Sequence, residues 1–207
     1  KAFQIMVEDQ DLKVLQNLSN ASKSLAQGEV LQLSLKNNLD IDDEKYFKVI
    51  KDKTAKLFSS SAMVGGIISK CPEKIISKLD KFGNNLGIAF QLLDDALDYE
   101  CSENNTGKNI GDDFKEGKIT LPVLLALKKA NSSEKAFWKR VIEDLDQEKN
   151  DFKKAQSLLT KHSCIIETKT IAREYAKKAE EILKIFPQNI YNRALVDLTK
   201  FVFTRSN

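Results

Sequence analysis

The chain has 207 residues, of which 42% are hydrophobic and 30% charged, and its net charge is +3 at neutral pH. These values indicate one soluble globular domain, residues 1–207, that is long enough to bury a sizeable core. The positive balance is small and lysines alternate with acids, which argues against nucleic-acid binding.

Cysteine and histidine usage excludes several classes of site. The three cysteines are widely spaced and form no CxxC pair, which favours a reducing compartment over a disulfide scaffold. A single histidine, His162, argues against multi-imidazole zinc sites and His-based triads. No signal-peptide pattern opens the sequence and no apolar run is long enough to cross a membrane, so we expect a cytoplasmic protein.

The first two predicted helices end in polar residues. Residues 2–8 have the pattern of a helix interior without a capping signal, so we expect that Lys1 is not a natural N-terminus. A second helix spans about 11–35, and its stripe turns from apolar to polar toward Glu29 and Gln32. These two side chains either project inward or belong to a solvent-facing helix end.

The next segment is predicted to be one regular helix with a heptad seam. A polar loop at 37–43 precedes it, and Asp42 or Asp43 is expected to cap it. The seam comprises Phe47, Ile50, Thr54, Leu57, Ser61, Val64 and Ile68. Small residues at 59–62 and 65–66 allow close approach of another helix. The hydroxyls of Thr54 and Ser61 either bond the previous turn or belong to a site.

A long helix begins at Pro72 and continues into the most acidic stretch of the chain. Gly87, one turn before Gln91, is expected to leave space for a substrate. At about 100° per residue, Gln91 shares one face with three carboxylates. These belong to Asp94, Asp95 and Asp98. Like charges this close must face water or hold cations, and oxygen ligands suit Mg²⁺. A solvated acidic face is the alternative.

A loop with three glycines follows at residues 107–118. It carries Lys108 and Lys118 at its ends, so positive charge is able to return toward the acidic face, as phosphate binding requires. Carboxylates, a divalent ion and lysines together predict a diphosphate site.

The remaining chain is predicted to be helical. Thr120 is expected to cap a helix that reaches about residue 129, and residues 131–134 have the pattern of a capping box. Further helices cover about 151–162, 165–185 and 189–202. No strand pair, repeat or low-complexity segment is evident, so the sequence predicts an all-α helical bundle.

Four ordered segments carry a family resemblance. Residues 28–33, 53–58, 90–99 and 107–122 resemble the trans-type polyprenyl diphosphate synthases, particularly the long-chain octaprenyl and decaprenyl branch. The resemblance spans nearly the whole chain and weakens over 131–168. It implies a helical bundle of the isoprenoid synthase type around a diphosphate-binding cavity.

The resemblance implies a role for each polar residue of the four segments. The expected metal ligands for Mg²⁺ are Asp94, Asp95 and Asp98. The expected diphosphate-binding lysines are Lys53, Lys108 and Lys118. The expected catalytic residues are Lys53, Thr54 and Gln91, with Glu29 and Gln32 lining the cavity. Asp112 is expected to orient the lysine loop from behind the site.

The implied activity is repeated condensation of an allylic diphosphate, geranyl or farnesyl, with isopentenyl diphosphate. The product would be a long all-trans polyprenyl diphosphate that is delivered to a membrane, and the family usually forms homodimers. The family's first aspartate motif is not in these 207 residues, so we expect this chain alone to be inactive. A non-catalytic subunit or structural fragment, and less strongly a terpene cyclase, are the alternatives.

Overall fold

The computed structural model describes residues 1–100 and 110–204, and every regular element in these two ranges is helical. The α-helices are α1 Ala2–Asp9, α2 Leu12–Ser34, α3 Asp43–Ile50, α4 Lys56–Ile68, α5 Glu73–Leu97, α6 Asp112–Lys115, α7 Leu121–Lys129, α8 Ser132–Trp138, α9 Asp151–Lys161, α10 Cys164–Leu183 and α11 Ile190–Thr204. Two π-helical turns occur at Lys51–Ala55 and Lys139–Glu143. The predicted all-α class is therefore confirmed.

Helix starts follow the capping signals of the sequence in most cases. The Asp42 side chain accepts a hydrogen bond from the backbone N–H of Lys45 at 2.8 Å, so Asp42 is the cap of α3. Asn131 and Glu134 form a reciprocal capping box at the start of α8. Thr120 occupies the cap position of α7, but its side chain makes no capping hydrogen bond.

Helix α5 is the centre of the bundle. It packs most extensively against α10 and α4. Leu92 of α5 belongs to one buried cluster together with Trp138, whereas Leu93 belongs to a second cluster with Leu183. Because α5 contributes to both clusters, its apolar faces are buried and its direction is fixed by packing on opposite sides.

The predicted heptad seam over residues 47–68 is wrong beyond Thr54. Leu57 and Ile68 are 49% and 57% exposed, whereas Ser59 and Ser60 are buried. The reason is the π-helical turn Lys51–Ala55, called the π-turn below, which divides the predicted helix into α3 and α4. A π-turn adds one residue to a helix and rotates everything after it by about 100°. Ser59 and Gly66 thereby face α5.

Among the described residues, no helix is both long and apolar enough to cross a membrane.

Candidate active site

A cavity of about 430 Å³ lies between α2, α3, the π-turn, α5 and the segment that begins with α6. Ten residues that the sequence singled out line it. They are Glu29, Gln32, Lys53, Thr54, Gln91, Asp94, Asp95, Asp98, Asp112 and Lys118. Lys108, the remaining predicted residue, lies outside the described residues. The four segments on which the resemblance rests therefore meet in one place.

The π-turn carries Lys53 and Thr54 into the cavity wall and is held between two glycines. A Cβ atom on Gly28 of α2 would lie 2.6 Å from the backbone N of Lys53. A Cβ atom on Gly87 of α5 would lie 2.5 Å from the Cα of Ala55. Gly87 therefore makes room for the π-turn, and our expectation that it leaves space for a substrate is wrong.

The polar end of α2 faces inward and holds the Lys53 side chain. The Nζ atom of Lys53 lies 2.8 Å from Oε2 of Glu29 and donates a hydrogen bond of 2.6 Å to Oε1 of Gln32. Both Glu29 and Gln32 line the cavity, and the Glu29 side chain is also 48% exposed to solvent. These contacts hold the ammonium group of Lys53 at the cavity wall.

Four side chains on the π-turn, α5 and α3 form a continuous hydrogen-bonded chain. Thr54 Oγ1 donates to Gln91 Oε1 at 2.7 Å, and Gln91 Nε2 donates to Asp95 Oδ1 at 2.8 Å. The hydroxyl of Tyr46 donates to Asp95 Oδ2 at 2.5 Å. Sequence reasoning missed Tyr46, because a tyrosine in the apolar stripe of a short helix gives no local signal of a site.

Burial has the largest effect on the pKa values of the two ionisable side chains in this hydrogen-bonded network. Asp95 is 3% exposed, and burial followed by the negative charge of Asp113 raises its pKa to about 7, against the hydrogen bonds from Tyr46 and Gln91 that lower it. Burial and the neighbouring Asp95 also raise the pKa of Tyr46 well above its usual value. The tyrosine is consequently a neutral donor at neutral pH.

The segment after the undescribed residues folds back onto α5. The backbone N–H of Asp113 donates to Asp98 Oδ2 at 3.0 Å, and the Gly111 N–H donates to the Asp98 carbonyl at 3.0 Å. Lys118 Nζ lies 3.1 Å from both Asp113 Oδ1 and Glu116 Oε2. Although burial opposes it, these carboxylates raise the pKa of Lys118, which stays charged.

Asp113 is a second residue that sequence reasoning missed. Asp112 lines the cavity but forms its ion pair with Lys115, at 3.1 Å, so it does not contact the cavity lysine. Asp113 joins Lys118 to Asp98 instead. Two adjacent aspartates are equivalent in the sequence pattern, and only their contacts at the start of α6 distinguish them.

The donor set of the acidic wall fits a hard cation that is shared with a ligand. Asp94 lies in the last turn of α5, Asp98 is the residue that caps the end of this helix, and both line the cavity. Within residues 1–100 and 110–204, no group of three or more histidine, cysteine, aspartate or glutamate side chains is arranged to hold a metal ion. Mg²⁺ commonly takes only one or two protein carboxylates and completes its shell with water and phosphate oxygens. The pair therefore fits such an ion.

An all-α bundle whose central helix presents carboxylates to a lysine-bearing cavity has the fold of an isoprenoid synthase. Residues 1–159 match the family model described as polyprenyl synthetase. The chain belongs to the polyprenyl synthetase family, as the resemblance predicted.

Curated relatives and solved structures agree with this family. The octaprenyl diphosphate synthases of Haemophilus influenzae and Escherichia coli are 35% and 36% identical to the chain, over 96% and 99% of its length. A decaprenyl diphosphate synthase from Rhodobacter capsulatus is 42% identical and superposes with a TM-score of 0.93 over 99% of this chain and 63% of its own. The chain spans 60% and 63% of the two curated relatives, which is less than two thirds of either.

Proposed function

We propose that the protein containing this chain is a chain-elongating prenyltransferase. It condenses an allylic diphosphate with isopentenyl diphosphate, repeatedly, to a long all-trans polyprenyl diphosphate of the kind attached to quinones. The observation that carries the proposal is that Asp94, Asp98, Lys53 and Lys118 border one cavity. The octaprenyl and decaprenyl products in the names of its relatives support the same reaction class.

We propose Mg²⁺ as the cofactor. Of the three carboxylates that the sequence suggested as ligands, Asp94 and Asp98 are the two that we retain. A polyprenyl synthase from Caulobacter crescentus, 40% identical with a TM-score of 0.93 over 97% of this chain and 61% of its own, is described as complexed with calcium and isoprenyl diphosphate. That description supports a divalent cation beside a diphosphate. When bound, Mg²⁺ would draw off negative charge as the diphosphate leaves.

The lysines act on the diphosphate, whereas the Thr54 hydroxyl and the Gln91 amide act on the allylic cation. Lys53, Lys108 and Lys118 neutralise the diphosphate as the allylic carbon–oxygen bond breaks. The Thr54 hydroxyl donates to Gln91, so the lone pairs of its oxygen are available to stabilise the allylic cation. The double bond of isopentenyl diphosphate then forms the new carbon–carbon bond, and a proton passes to the released diphosphate. Glu29 and Gln32 hold Lys53 in place throughout.

We also propose the cellular compartment and the oligomeric state in which the reaction takes place. The protein works in the cytoplasm as a homodimer and delivers its lipid product to a membrane. The 207 residues contain a single aspartate-rich motif, whereas the family resemblance implies that ionisation uses two facing ones. The chain by itself therefore does not catalyse condensation.

The test uses the complete gene product with radiolabelled isopentenyl diphosphate, farnesyl diphosphate and Mg²⁺, followed by extraction and chromatography of the lipids. Labelled linear polyprenyl diphosphates longer than farnesyl diphosphate are expected. Failure to incorporate label would indicate a non-catalytic subunit, and cyclic hydrocarbons formed without label would indicate a terpene cyclase. Long products from the isolated 207-residue chain would contradict the need for a second aspartate motif.

A further inference from the structure

We propose that Asn37 and Gln147 are positioning residues whose side-chain amides hold residues 114–117 in place and thereby fix Lys118 at the cavity wall. Neither residue lines the cavity, so both act through the backbone of this segment. The two side chains are called the amide clamp below. Since only the proposed function assigns Lys118 to the diphosphate, the catalytic role of the amide clamp rests on that function.

The side-chain amide of Gln147 connects two carbonyl groups. Its Nε2 atom donates to the carbonyl of Phe114 in α6 at 2.8 Å and to the carbonyl of Val141 at 2.8 Å. An amide nitrogen of glutamine has two hydrogens, and a carbonyl only accepts, so these two contacts use both donors and fix the orientation of the amide. Gln147 therefore ties α6 to the π-helical turn Lys139–Glu143.

Asn37 makes the second connection, from the turn that follows α2. Its Nδ2 atom donates to the carbonyl of Ile142 at 2.6 Å, and its backbone N–H donates to the carbonyl of Gly117 at 3.2 Å. Asn37 has a φ of 61°, in the left-handed region that asparagine adopts more readily than most residues. The same π-helical turn thus holds the segment before Lys118 from a second side.

The π-helical turn Lys139–Glu143 supplies carbonyls that its own backbone does not use. The backbone N–H groups at positions 144 and 146 donate to the carbonyls of residues 139 and 140. The carbonyls of Val141 and Ile142 are therefore left to the amide clamp. Both residues are fully buried, and a buried carbonyl without a donor is destabilising. The clamp is consequently anchored on groups that are shielded from water.

The residue before Lys118 has no room for a side chain. Gly117 has a φ of 64°, and a Cβ atom there would lie 3.0 Å from the carbonyl oxygen of Ile142 and would collide with Nδ2 of Asn37. The amide clamp and the π-helical turn therefore contact the backbone directly where it enters Lys118. This contact limits the positions that the Lys118 ammonium group is able to reach in the cavity.

The end of α2 also contacts the other described lysine that we assign to the diphosphate. Gln32 accepts a hydrogen bond from Nζ of Lys53 at 2.6 Å, while Asn37 contacts the residue before Lys118. Residues 32–37 thus limit the distance between the two ammonium groups. A ligand that binds both lysines requires this distance to be held closely, which is the work of residues behind a site.

The kinetic test uses the complete gene product with Gln147→Met, which removes both donors without adding charge, and with Asn37→Gly, which removes Nδ2 and still permits a positive φ. We expect the half-saturating concentration of allylic diphosphate to rise about fivefold in each. Added to Lys118→Met, which already lacks the ammonium group, either substitution should change it by less than about twofold. Effects that multiply with that of Lys118→Met would overturn the positioning role.

A matched control separates positioning from a loss of stability. Asn192 of α11 is buried, and its Nδ2 atom donates to the carbonyls of Leu183 and Phe186, at 2.9 and 3.4 Å, at the end of α10. Asn192→Leu should lower the urea midpoint about as much as Gln147→Met and leave the half-saturating concentration within about twofold of the wild type. An equal rise for this control would overturn the proposal. If Gln147→Met does not fold, Asn37→Gly, which loses a single side-chain hydrogen bond, decides the question.

A readout without catalysis keeps the amide clamp separate from the proposed function. In hydrogen–deuterium exchange measured by mass spectrometry, the backbone amides of residues 112–120 should exchange at least about tenfold faster in Gln147→Met and in Asn37→Gly than in the wild type. In Asn192→Leu they should be unchanged. Unchanged exchange in both clamp variants would overturn the proposal. If the wild type makes no polyprenyl product, the proposed function fails, and the exchange rates still decide whether the clamp holds the segment.

Discussion

At the residue scale, each described lysine that we assign to diphosphate binding is held by partners of its own. Lys53 contacts Glu29 and Gln32 of α2, and Lys118 contacts Asp113 and Glu116. Ion pairs that are partly exposed in this way add little to stability. Their effect is to limit the positions of the ammonium groups before a ligand arrives. Charge that is positioned in advance requires less reorganisation when the leaving group departs.

Lys118 offers a test with a matched control three residues earlier in the chain, Lys115 at the end of α6. Replacing Lys118 with methionine removes a charge from the cavity, so the condensation rate should fall by about tenfold or more and the half-saturating concentration of allylic diphosphate should rise. Lys115→Met removes a charge that pairs with Asp112 and does not line the cavity, and it should leave both quantities within about twofold. Equal effects of the two substitutions in steady-state assays would contradict a diphosphate role for Lys118.

Glu134 gives a pH-dependent prediction for stability. A hydrogen bond from Lys161, and next one from the Asn131 backbone, lower its pKa from 4.5 to about 2. Because the folded pKa lies below the unfolded one, the stabilisation is fully present above pH 4.5 and is lost as the pH falls toward 2. Glu134→Gln should therefore lower the urea midpoint at pH 7 and have a smaller effect at pH 3.5.

The control for this prediction is Glu181→Gln, which breaks an exposed pair with Lys184. It should leave the midpoint nearly unchanged at both pH values. A deficit of Glu134→Gln that is the same at pH 7 and pH 3.5 would show that charge is not the cause.

At the scale of elements, the π-turn is the feature on which the cavity depends. It supplies Lys53 and Thr54, and it is held between Gly28 of α2 and Gly87 of α5. Both glycines approach backbone atoms, which are unable to move aside as a flexible side chain would. The close packing of three elements therefore sets the depth at which the lysine and the hydroxyl enter the cavity.

Replacing either glycine with alanine should push the π-turn away from the helix that carries the glycine. Gly87→Ala should lower the free energy of unfolding by about 1–3 kcal/mol through overpacking and should reduce the condensation rate. Gly65→Ala is the control, because a Cβ atom there would meet nothing within 4 Å. It should stabilise the helix by about 0.5–1 kcal/mol. If urea denaturation shows Gly87→Ala to be as stable as Gly65→Ala, the π-turn is not held in the way described.

Much of the fold follows from local patterns in the sequence. The α3 cap at Asp42 and the capping box at Asn131 depend on residues within one turn, so the sequence predicts them. The convergence of the cavity residues was expected from the four ordered segments, and ten of the eleven predicted residues line one cavity. Helical periodicity also placed Gln91 on the polar face of α5.

The remaining features depend on contacts between distant segments. The π-turn arises where α2 and α5 close on Lys51–Ala55, and no residue within the turn signals it. The phase of α4 and the role of Gly87 were mispredicted for that reason. Tyr46 and Asp113 were missed because their importance comes from hydrogen bonds to Asp95 and Asp98, from which they are separated by 49 and 15 residues of sequence, respectively.

At the scale of the whole molecule, α5 serves the core and the site together. Its apolar faces enter two buried clusters, while its polar face lines the cavity. Three small residues of α4, Ser59, Ser60 and Gly66, are buried within this chain and therefore do not contribute to an external surface, whereas Ser61 and Gly65 are exposed. Large apolar side chains are exposed elsewhere, among them Ile5, Val7, Leu12, Val30 and Leu33 on α1 and α2.

These exposed side chains underlie our expectation of a homodimer. Apolar groups of this size are stabilised when a second subunit covers them. Sedimentation velocity of the complete gene product should give the mass of a dimer, and Val30→Asp/Leu33→Asp should shift it toward the monomer. A wild-type protein that sediments as a monomer at every concentration would contradict the expectation.

The central claim is that the acidic face of α5 and the cavity lysines together bind a metal–diphosphate complex. The most direct measurement is a crystal structure of the complete gene product with Mn²⁺, located by its anomalous signal, and a thio analogue of farnesyl diphosphate. We predict diphosphate oxygens within hydrogen-bonding distance of Lys53 and Lys118, and a metal bound by Asp94 and Asp98. A diphosphate bound elsewhere, or a metal that contacts neither Asp94 nor Asp98, would contradict this prediction.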